Sequence, residues 1–299
     1  MPRKPRIHYP GALYHVIIRG NARQDIFFDD ADRSRFYLLL QEGTERYGHR
    51  VHAFCLMTNH VHLAIQVGDV PLSRIMQNLS FRYTRWVNWR HNRSGHLFQG
   101  RYKAVLVETD AYLVQLIGYL HLNPLRAGMG TVPGDYPWSS HRAYLGMETI
   151  PWLTTRLALS QLSGDPVKAR RLFDDLVADQ CGEGHREEFH GGNCDGRILG
   201  QDAFVETVLR KTGEVALTKP GLAVILTAVE KLYDLGDKDL SGAGQGRKIS
   251  EARAMAAWAV RELSDATLTD LGGALRRDVT SLSSAARRLT TRTQADADL

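Results

Sequence analysis

Apolar residues recur with two periods along the first 145 positions, and the switches between those periods outline a fold. Leu13, His15/Val16 and Ile17/Ile18 fall in a segment from Ala12 to Arg19 that reads as a strand after the His8-Tyr9-Pro10-Gly11 turn. Gly20-Asn21 ends it, and Ala22 to Phe28 reads as a loop. Asp29 or Asp30 caps a helix running through Arg33, Phe36, Leu39/Leu40 and Gly43, with a stop near Gly48. Two strands follow, Val51 to Met57 and Val61 to Val67, joined by the turn at Thr58-Asn59. Pro71 starts a helix with Leu72, Ile75/Met76, Leu79, Tyr83 and Trp86/Val87 on its buried stripe. Val105 to Val107 is a short strand, and Thr109 or Asp110 caps a helix carrying Tyr112, Gln115/Leu116, Tyr119 and Asn123 up to Pro124. This order predicts an α+β fold, an antiparallel sheet with helices on one face.

Beyond residue 145 the pattern is mostly helical. Pro151-Trp152-Leu153 opens an acidic region, and Asp165-Pro166 starts a helix with Ala169, Leu172/Phe173 and Leu176/Val177. Cys181 to Gly196 is glycine-rich; it holds Cys181, His185, His190 and Cys194, but their irregular spacing reads as a flexible linker rather than a metal site. Leu199 to Val205 enters another short helix. Lys219 to Leu232 and Ile249 to Leu263 are helical, separated by Gly242-Ala243-Gly244-Gln245-Gly246. Thr267 to Gly272 and Asp278 to Ala285 read as the two short helices of a helix-turn-helix, or as part of a plain helical bundle. The predicted divisions are 1–145, a connecting region 146–217, a helix-turn-helix domain 218–292 and a disordered tail 293–299.

Charge sharpens this division. The net +5 is uneven: residues 1–142 hold 18 Lys/Arg against 10 Asp/Glu and ten of the twelve histidines, 143–217 hold 8 against 12, and 218–299 hold 12 against 11. A polyanion such as nucleic acid suits the basic first part, although solubility alone is served by a modest excess. Three cysteines make no disulfide framework or zinc motif, and no apolar run reaches membrane-spanning length, so a cytoplasmic, nucleoid-associated protein without a membrane partner is expected.

Two constellations carry candidate chemistry. His60 and His62 alternate with Val61 and so share one strand face. They are either ordinary residues of a polar strand face or half of an open mixed-donor metal site, since the spacing fits neither a zinc-protease helix nor a closed Cys/His cluster. Tyr119 and Asn123 lie one helical turn apart; a phenol can attack a phosphodiester and an amide oxygen can ligate a metal, although a core aromatic is the plainer reading of Tyr119 alone. Around them, Arg74, Arg82, Arg85, Arg101, Lys103 and Arg126 are candidate contacts to single-stranded DNA or its phosphates, and His121, which should sit off the Tyr119 face, is structural or phosphate-contacting. Tyr83, Trp89, Phe98 and Tyr102 are candidate stacking partners, each equally readable as core. In the last region Arg276, Arg277, Thr280, Ser281, Ser284, Arg287 and Arg288 would face duplex DNA.

Through His8-Tyr9-Pro10-Gly11, His60-Val61-His62, the run from Gly95 to Lys103, the run from Tyr119 to Gly128, and Pro137-Trp138-Ser139-Ser140, the sequence resembles the REP-associated tyrosine transposases. These are single-tyrosine members of the His-hydrophobic-His endonuclease superfamily. The resemblance implies a ferredoxin-like core that cleaves and rejoins single-stranded DNA near palindromic hairpins through a 5′-phosphotyrosine. Carried residue by residue, it makes Tyr119 the nucleophile and His60, His62 and Asn123 ligands of Mg²⁺ or Mn²⁺. Thr58 stands where many relatives have proline. Residues 218–292 resemble the DNA-binding domain of the bacterial chromosomal replication initiator, through Arg247-Lys248, Glu251-Ala252-Arg253, Ala256, Leu263, Leu268, Gly272 and Arg277 to Ala285. Val279 replaces the histidine of the initiator pattern, which puts recognition of the initiator's own site in doubt.

The sequence thus points to a transposase acting on hairpin DNA as a monomer or homodimer, with a duplex-binding module. A DNA-binding regulator that has lost the chemistry and an RNA-binding protein are the alternatives. No general base is legible.

Overall fold

The computed structural model describes residues 6–193, 196–212, 220–236, 239–242, 244, 246–264 and 266–297, with side chains as far as Thr290. Of the segments read above, Met1 to Pro5, Cys194, Lys219, Ala243, Gln245 and the last two residues lie outside the described ones. The chain divides into two compact units, Met1–Val215 and Ala216–Leu299.

The first unit begins with β1 (Leu13–Arg19), α1 (Asp30–Tyr47), β2 (Arg50–Leu56), β3 (His60–Gln66), α2 (Leu72–Arg90) and β4 (Lys103–Val107). These strands align β2-β3-β1-β4, each antiparallel to its neighbour, which is the ferredoxin-like arrangement. Local chemistry sets the ends of α1: the Asp29 side chain accepts from the Asp32 amide, and Gly48 closes the helix at φ 64°, where a side chain would be strained. Pro71, expected as the first helical residue of α2, is instead its cap: its φ of −61° suits a helix but its ψ of 142° is extended, and Leu72 is the first helical residue.

The turn between β2 and β3 is fastened from outside. Gly20 N donates to Asn59 O at 2.8 Å, and Ile26 N and Phe27 N both donate to Thr58 O, at 3.0 and 3.2 Å. Only glycine fits at position 20, where a Cβ would stand 2.0 Å from Gln24 O. His60 therefore begins β3 from a fixed turn.

Next come α3 (Thr109–His121), α4 (Asn123–Arg126), α5 (His141–Leu145), α6 (Arg156–Leu162), α7 (Pro166–Asp179), α8 (Glu188–Gly191), β5 (Ile198–Leu199) and α9 (Asp202–Thr212). Thr109 is the first residue of α3 rather than its cap, which is Glu108 without a capping side-chain bond. β5 adds a fifth strand, parallel to β4. The region 146–217 therefore does more than connect: it supplies helices and a strand to this unit.

Strand alternation gives the sheet two different faces. Tyr14, Val16, Ile18, Val61, Leu63 and Ile65 pack with Phe36, Leu39 and Leu40 of α1 and Ile75, Met76, Leu79 and Tyr83 of α2. These are the expected helices on one face. The other face, with Leu13, Ala53, Ala64, Val105 and Val107, is covered as well, by Leu113, Leu116, Ile117, Tyr119 and Leu120 of α3 and Phe173 and Val177 of α7. His15, His60 and His62 share the parity of this second face.

The second unit comprises α10 (Leu222–Leu232), α11 (Arg247–Leu263), α12 (Leu268–Leu275) and α13 (Val279–Ala297) around Ile225, Val229, Ala256, Val260, Leu271, Leu275 and Leu282. Thr267 and Asp270 form a capping box at α12. Gly272 admits the close return of the chain, since a Cβ there would lie 3.0 Å from Arg277 O. α13 is longer than the short helix read from sequence and continues to Ala297, through most of the stretch expected to be a disordered tail. Among the described residues no helix is long and apolar enough to cross a membrane.

Candidate active site

The second face of the sheet carries a chain of histidines whose proton positions follow from their partners. A backbone carbonyl only accepts, so His15 Nδ1–H donates to Phe189 O at 2.6 Å. Burial pushes His15 down to about 4, outweighing this bond, and the neutral ring keeps a lone pair on Nε2. His62 Nδ1, 2.9 Å from that Nε2, must then carry the hydrogen and donate it. His62 Nε2 is left with a lone pair. His60 arrives at the same state by a different route: its Nδ1 lies 2.7 Å from Asn59 Oδ1, and the Asn59 amide is oriented by donating to Arg23 O at 3.0 Å. Burial, assisted by the cation of Arg19, pushes His60 down to about 4. His62 is held well below its usual range by burial, then by the charges of His15, His60, His190 and Arg19. Both imidazoles, with ring centres 4.9 Å apart, are neutral near pH 7, with Nδ1–H engaged and an Nε2 lone pair for a ligand.

Tyr119 projects from α3 into this face with only 1% of its surface exposed. Its hydroxyl lies 2.8 Å from His190 Nε2 and 3.3 Å from His185 Nδ1. The Arg126 guanidinium sits 4.3 Å over the ring centre, Arg126 Nη1 donates to Tyr119 O at 2.8 Å, and its Nε donates to Glu183 O at 3.3 Å. Burial raises the phenol pKa, with Arg126 pulling the other way. His190 is pushed down to about 3 by burial and by the neighbouring charges of His15, His185, Lys103 and Arg19. The rings of His190 and His62 stand 6.0 Å apart, so His190 neighbours both the tyrosine and the histidine pair.

Asn123 begins α4 and turns its amide back on α3: Nδ2 donates to Tyr119 O and to Leu120 O, both at 3.2 Å. With those donors engaged, ligation by Asn123 would run through Oδ1. Among the described residues no three His, Cys, Asp or Glu side chains converge as a metal cage. Two imidazole lone pairs beside a carboxamide form a mixed nitrogen and oxygen donor set.

The expected DNA contacts separate in space. Lys103 lies on β4 beside this site, opposite Ile17 of β1, and Arg126 covers the tyrosine. Arg101 is exposed in the loop ahead of β4. Arg74, Arg82 and Arg85 stand on α2, on the far side of the sheet. There Arg82 pairs with Glu42, and an open depression of about 310 Å³ is lined by Arg35, Arg82, Arg85, Trp86 and Trp89. Trp89 is 74% exposed, whereas Tyr83 and Phe98 are core residues. Of the two readings of His121 the structural one holds: it is completely buried, with Nε2 on Ser140 Oγ at 2.7 Å, and cannot meet a phosphate.

Sequence reasoning missed four contributors. Arg19 pairs with His60 in the sheet register, and its parity with His15 and Ile17 was the available signal. His15 was hidden in an apolar strand. His185 and His190 were read as belonging to a flexible linker, which is also corrected: the described part of that segment folds as a turn and α8 against Tyr119.

In the second unit Arg276, at the C-cap of α12, and Thr280, Ser281, Ser284, Arg287 and Arg288 of α13 are exposed. Arg277 differs, being half-buried with Nη2 donating to Gly242 O at 2.6 Å. Asp278 ties the start of α13 together, accepting from Thr280 Oγ1 and, at 3.1 Å, from Ser281 N.

Residues 9–123 match the family described as IS200-like transposases, and residues 222–289 match the helix-turn-helix of the bacterial DnaA protein. A Haemophilus influenzae protein provisionally named a REP-associated tyrosine transposase is 24% identical over 152 residues, covering 47% of this chain and 86% of its own length. A solved REP-associated tyrosine transposase bound to a REP hairpin aligns with 15% identity and a TM-score of 0.43, covering 52% of this chain and 92% of its own. In its first unit the chain is therefore similar to the IS200-like transposases, REP-associated tyrosine transposases among them, and in its second to the DnaA helix-turn-helix.

Proposed function

We propose that the first unit cleaves and rejoins single-stranded DNA beside a hairpin, with Tyr119 as nucleophile. The observation that carries this reading is the convergence on one sheet face of two neutral imidazoles, each with Nε2 left as a lone pair, and a tyrosine whose hydroxyl is tied to the same histidine cluster. A divalent cation, Mg²⁺ or Mn²⁺, would be held by His60 Nε2, His62 Nε2 and, as the family resemblance implies, Asn123 Oδ1; bound there, it would polarise a phosphate oxygen and neutralise charge developing on it.

The protein's own groups account for the rest. Arg19 and Lys103 supply positive charge where a DNA backbone would lie. Arg126 holds the ring and backbone of Tyr119. The phenol gives up its proton to solvent as attack forms an Oη–P bond and breaks the P–O3′ bond, leaving a 5′-phosphotyrosine and a 3′-oxygen that takes up a proton from solvent. Another strand's 3′-hydroxyl reverses the step, and the linkage conserves the phosphodiester for rejoining. The second unit would place the exposed start of α13 against duplex DNA and raise the local concentration of its target.

The test is incubation of the full chain with single-stranded hairpins from DNA flanking its gene, with Mn²⁺ or EDTA. A Mn²⁺-dependent covalent adduct is expected from wild type and none from Tyr119→Phe, with hairpin binding kept by both. Binding without adduct across a broad substrate panel would instead favour a DNA-binding regulator.

A further inference from the structure

α8 reaches the site from outside the transposase match, which ends at residue 123. It touches both halves of the site: His190 meets the Tyr119 hydroxyl at 2.8 Å, and the neighbouring Phe189 carbonyl accepts from His15, which fixes the tautomer of His62. Its own placement is built. Arg186 bridges Glu188 at 2.6 Å and Gln115 on α3 at 3.1 Å, with its guanidinium over the Phe189 ring. Gly192 then closes the turn at φ 66°, where a Cβ would stand 2.3 Å from Ile198 O of β5. α8 is thus tied both to the helix that bears the tyrosine and to the sheet that bears the histidines.

We propose that His190 is a positioning residue for Tyr119, holding the phenol oxygen against an imidazole whose ring centre stands 6.0 Å from that of His62. The inference rests on the nucleophile reading above. A phenol oxygen free to move with its ring samples many directions, and in-line attack accepts few of them; a misplacement of about 1 Å costs roughly a hundredfold in rate. The hydroxyl offers one hydrogen and two lone pairs. His190 Nε2 takes the hydrogen across the shorter contact, and His185, at 3.3 Å, can donate to the oxygen. Two imidazoles on a braced turn thereby restrict the oxygen.

Full-length wild type, Tyr119→Phe, His190→Leu, His190→Asn and His190→Gln are compared on a single-stranded hairpin with Mn²⁺. The readouts are maximal adduct rate, half-saturating hairpin concentration and melting temperature. Glutamine can place an amide atom near the Nε2 position, whereas asparagine is too short and leucine is apolar. The expected result is a maximal rate about ten- to a hundredfold lower for leucine and asparagine, unchanged half-saturation, and recovery of most of the rate by glutamine. A wild-type rate in His190→Leu or His190→Asn overturns the inference. So does a glutamine variant as slow as asparagine at equal melting temperature, which would make the residue merely structural. Should leucine lower the melting temperature, the asparagine and glutamine pair decides. An adduct surviving in Tyr119→Phe, or none from wild type, contradicts the nucleophile reading itself, a result distinct from any in the His190 series.

Discussion

The two faces of the central sheet are made by alternate residues of the same strands, yet they solve different problems. On the first, Val16, Ile18, Val61, Leu63 and Ile65 meet the apolar stripes of α1 and α2, and burial of hydrocarbon suffices. On the second, the same strands bury His15 and His62 beside Tyr119, and each polar atom needs a partner, because an unmet one costs about 1–3 kcal/mol. The partners come from as far away as Phe189. Hydrocarbon holds both faces, and on the second a costly polar patch is kept where the chemistry is proposed.

That contrast predicts separable effects. His60→Ala, at the half-buried start of β3, should lower Mn²⁺-dependent adduct formation by a factor on the order of 10³ or more while shifting stability by no more than about 1 kcal/mol. A similar fall in both would erase the distinction between the faces. Leu63→Ala, one residue from His62 but on the apolar face, should show the reverse. Denaturant unfolding should report a loss of about 2–5 kcal/mol, with the folded fraction still forming adduct at near the wild-type rate.

Acid should sharpen the comparison. His49, buried at the α1–β2 junction and pushed down to about 4 by burial, is neutral in the fold and titrates near 6.5 once unfolded. Unfolding therefore takes up a proton as pH drops from 6.5 towards 4, and stability falls across that window by up to about 1.4 kcal/mol per pH unit for this group. His49→Leu should lessen the slope there by the share of one proton, with His15, His60, His62 and His190 still contributing, whereas Leu63→Ala should lower stability at every pH without changing the slope. The smallest effects belong to exposed cations. Arg287→Ala on α13 should weaken duplex binding several-fold in a salt-dependent way and leave hairpin cleavage unchanged, as gel shifts at two salt concentrations would show. Equal loss of both activities would contradict independent roles for the two units.

Much of the first face was legible because its signals are local. The Asp29 cap, the αL glycine at 48 and the 3.6-residue stripe of α2 each lie within one element. The parity of His60 and His62 was equally local, and it placed them correctly on one strand face. The second face was less legible because its partners are remote in sequence. His15 lies 174 residues from Phe189, and Tyr119 lies 71 from His190, in a stretch whose glycines suggested a linker. Composition detects loops, but it does not reveal which wall of a site a loop will build. Only the phosphate alternative for His121 fell: two residues from Tyr119 it points elsewhere on α3, as expected, and the wall it meets is Ser140 and His141 rather than solvent.

The most direct measurement is mass mapping of peptides from wild type trapped on a hairpin with Mn²⁺. A single nucleotide-bearing peptide containing Tyr119, with the phosphate ester on its phenol oxygen, is the predicted result. Attachment at any other residue, or cleavage without a protein-linked nucleotide, would contradict the assignment of Tyr119 as the nucleophile.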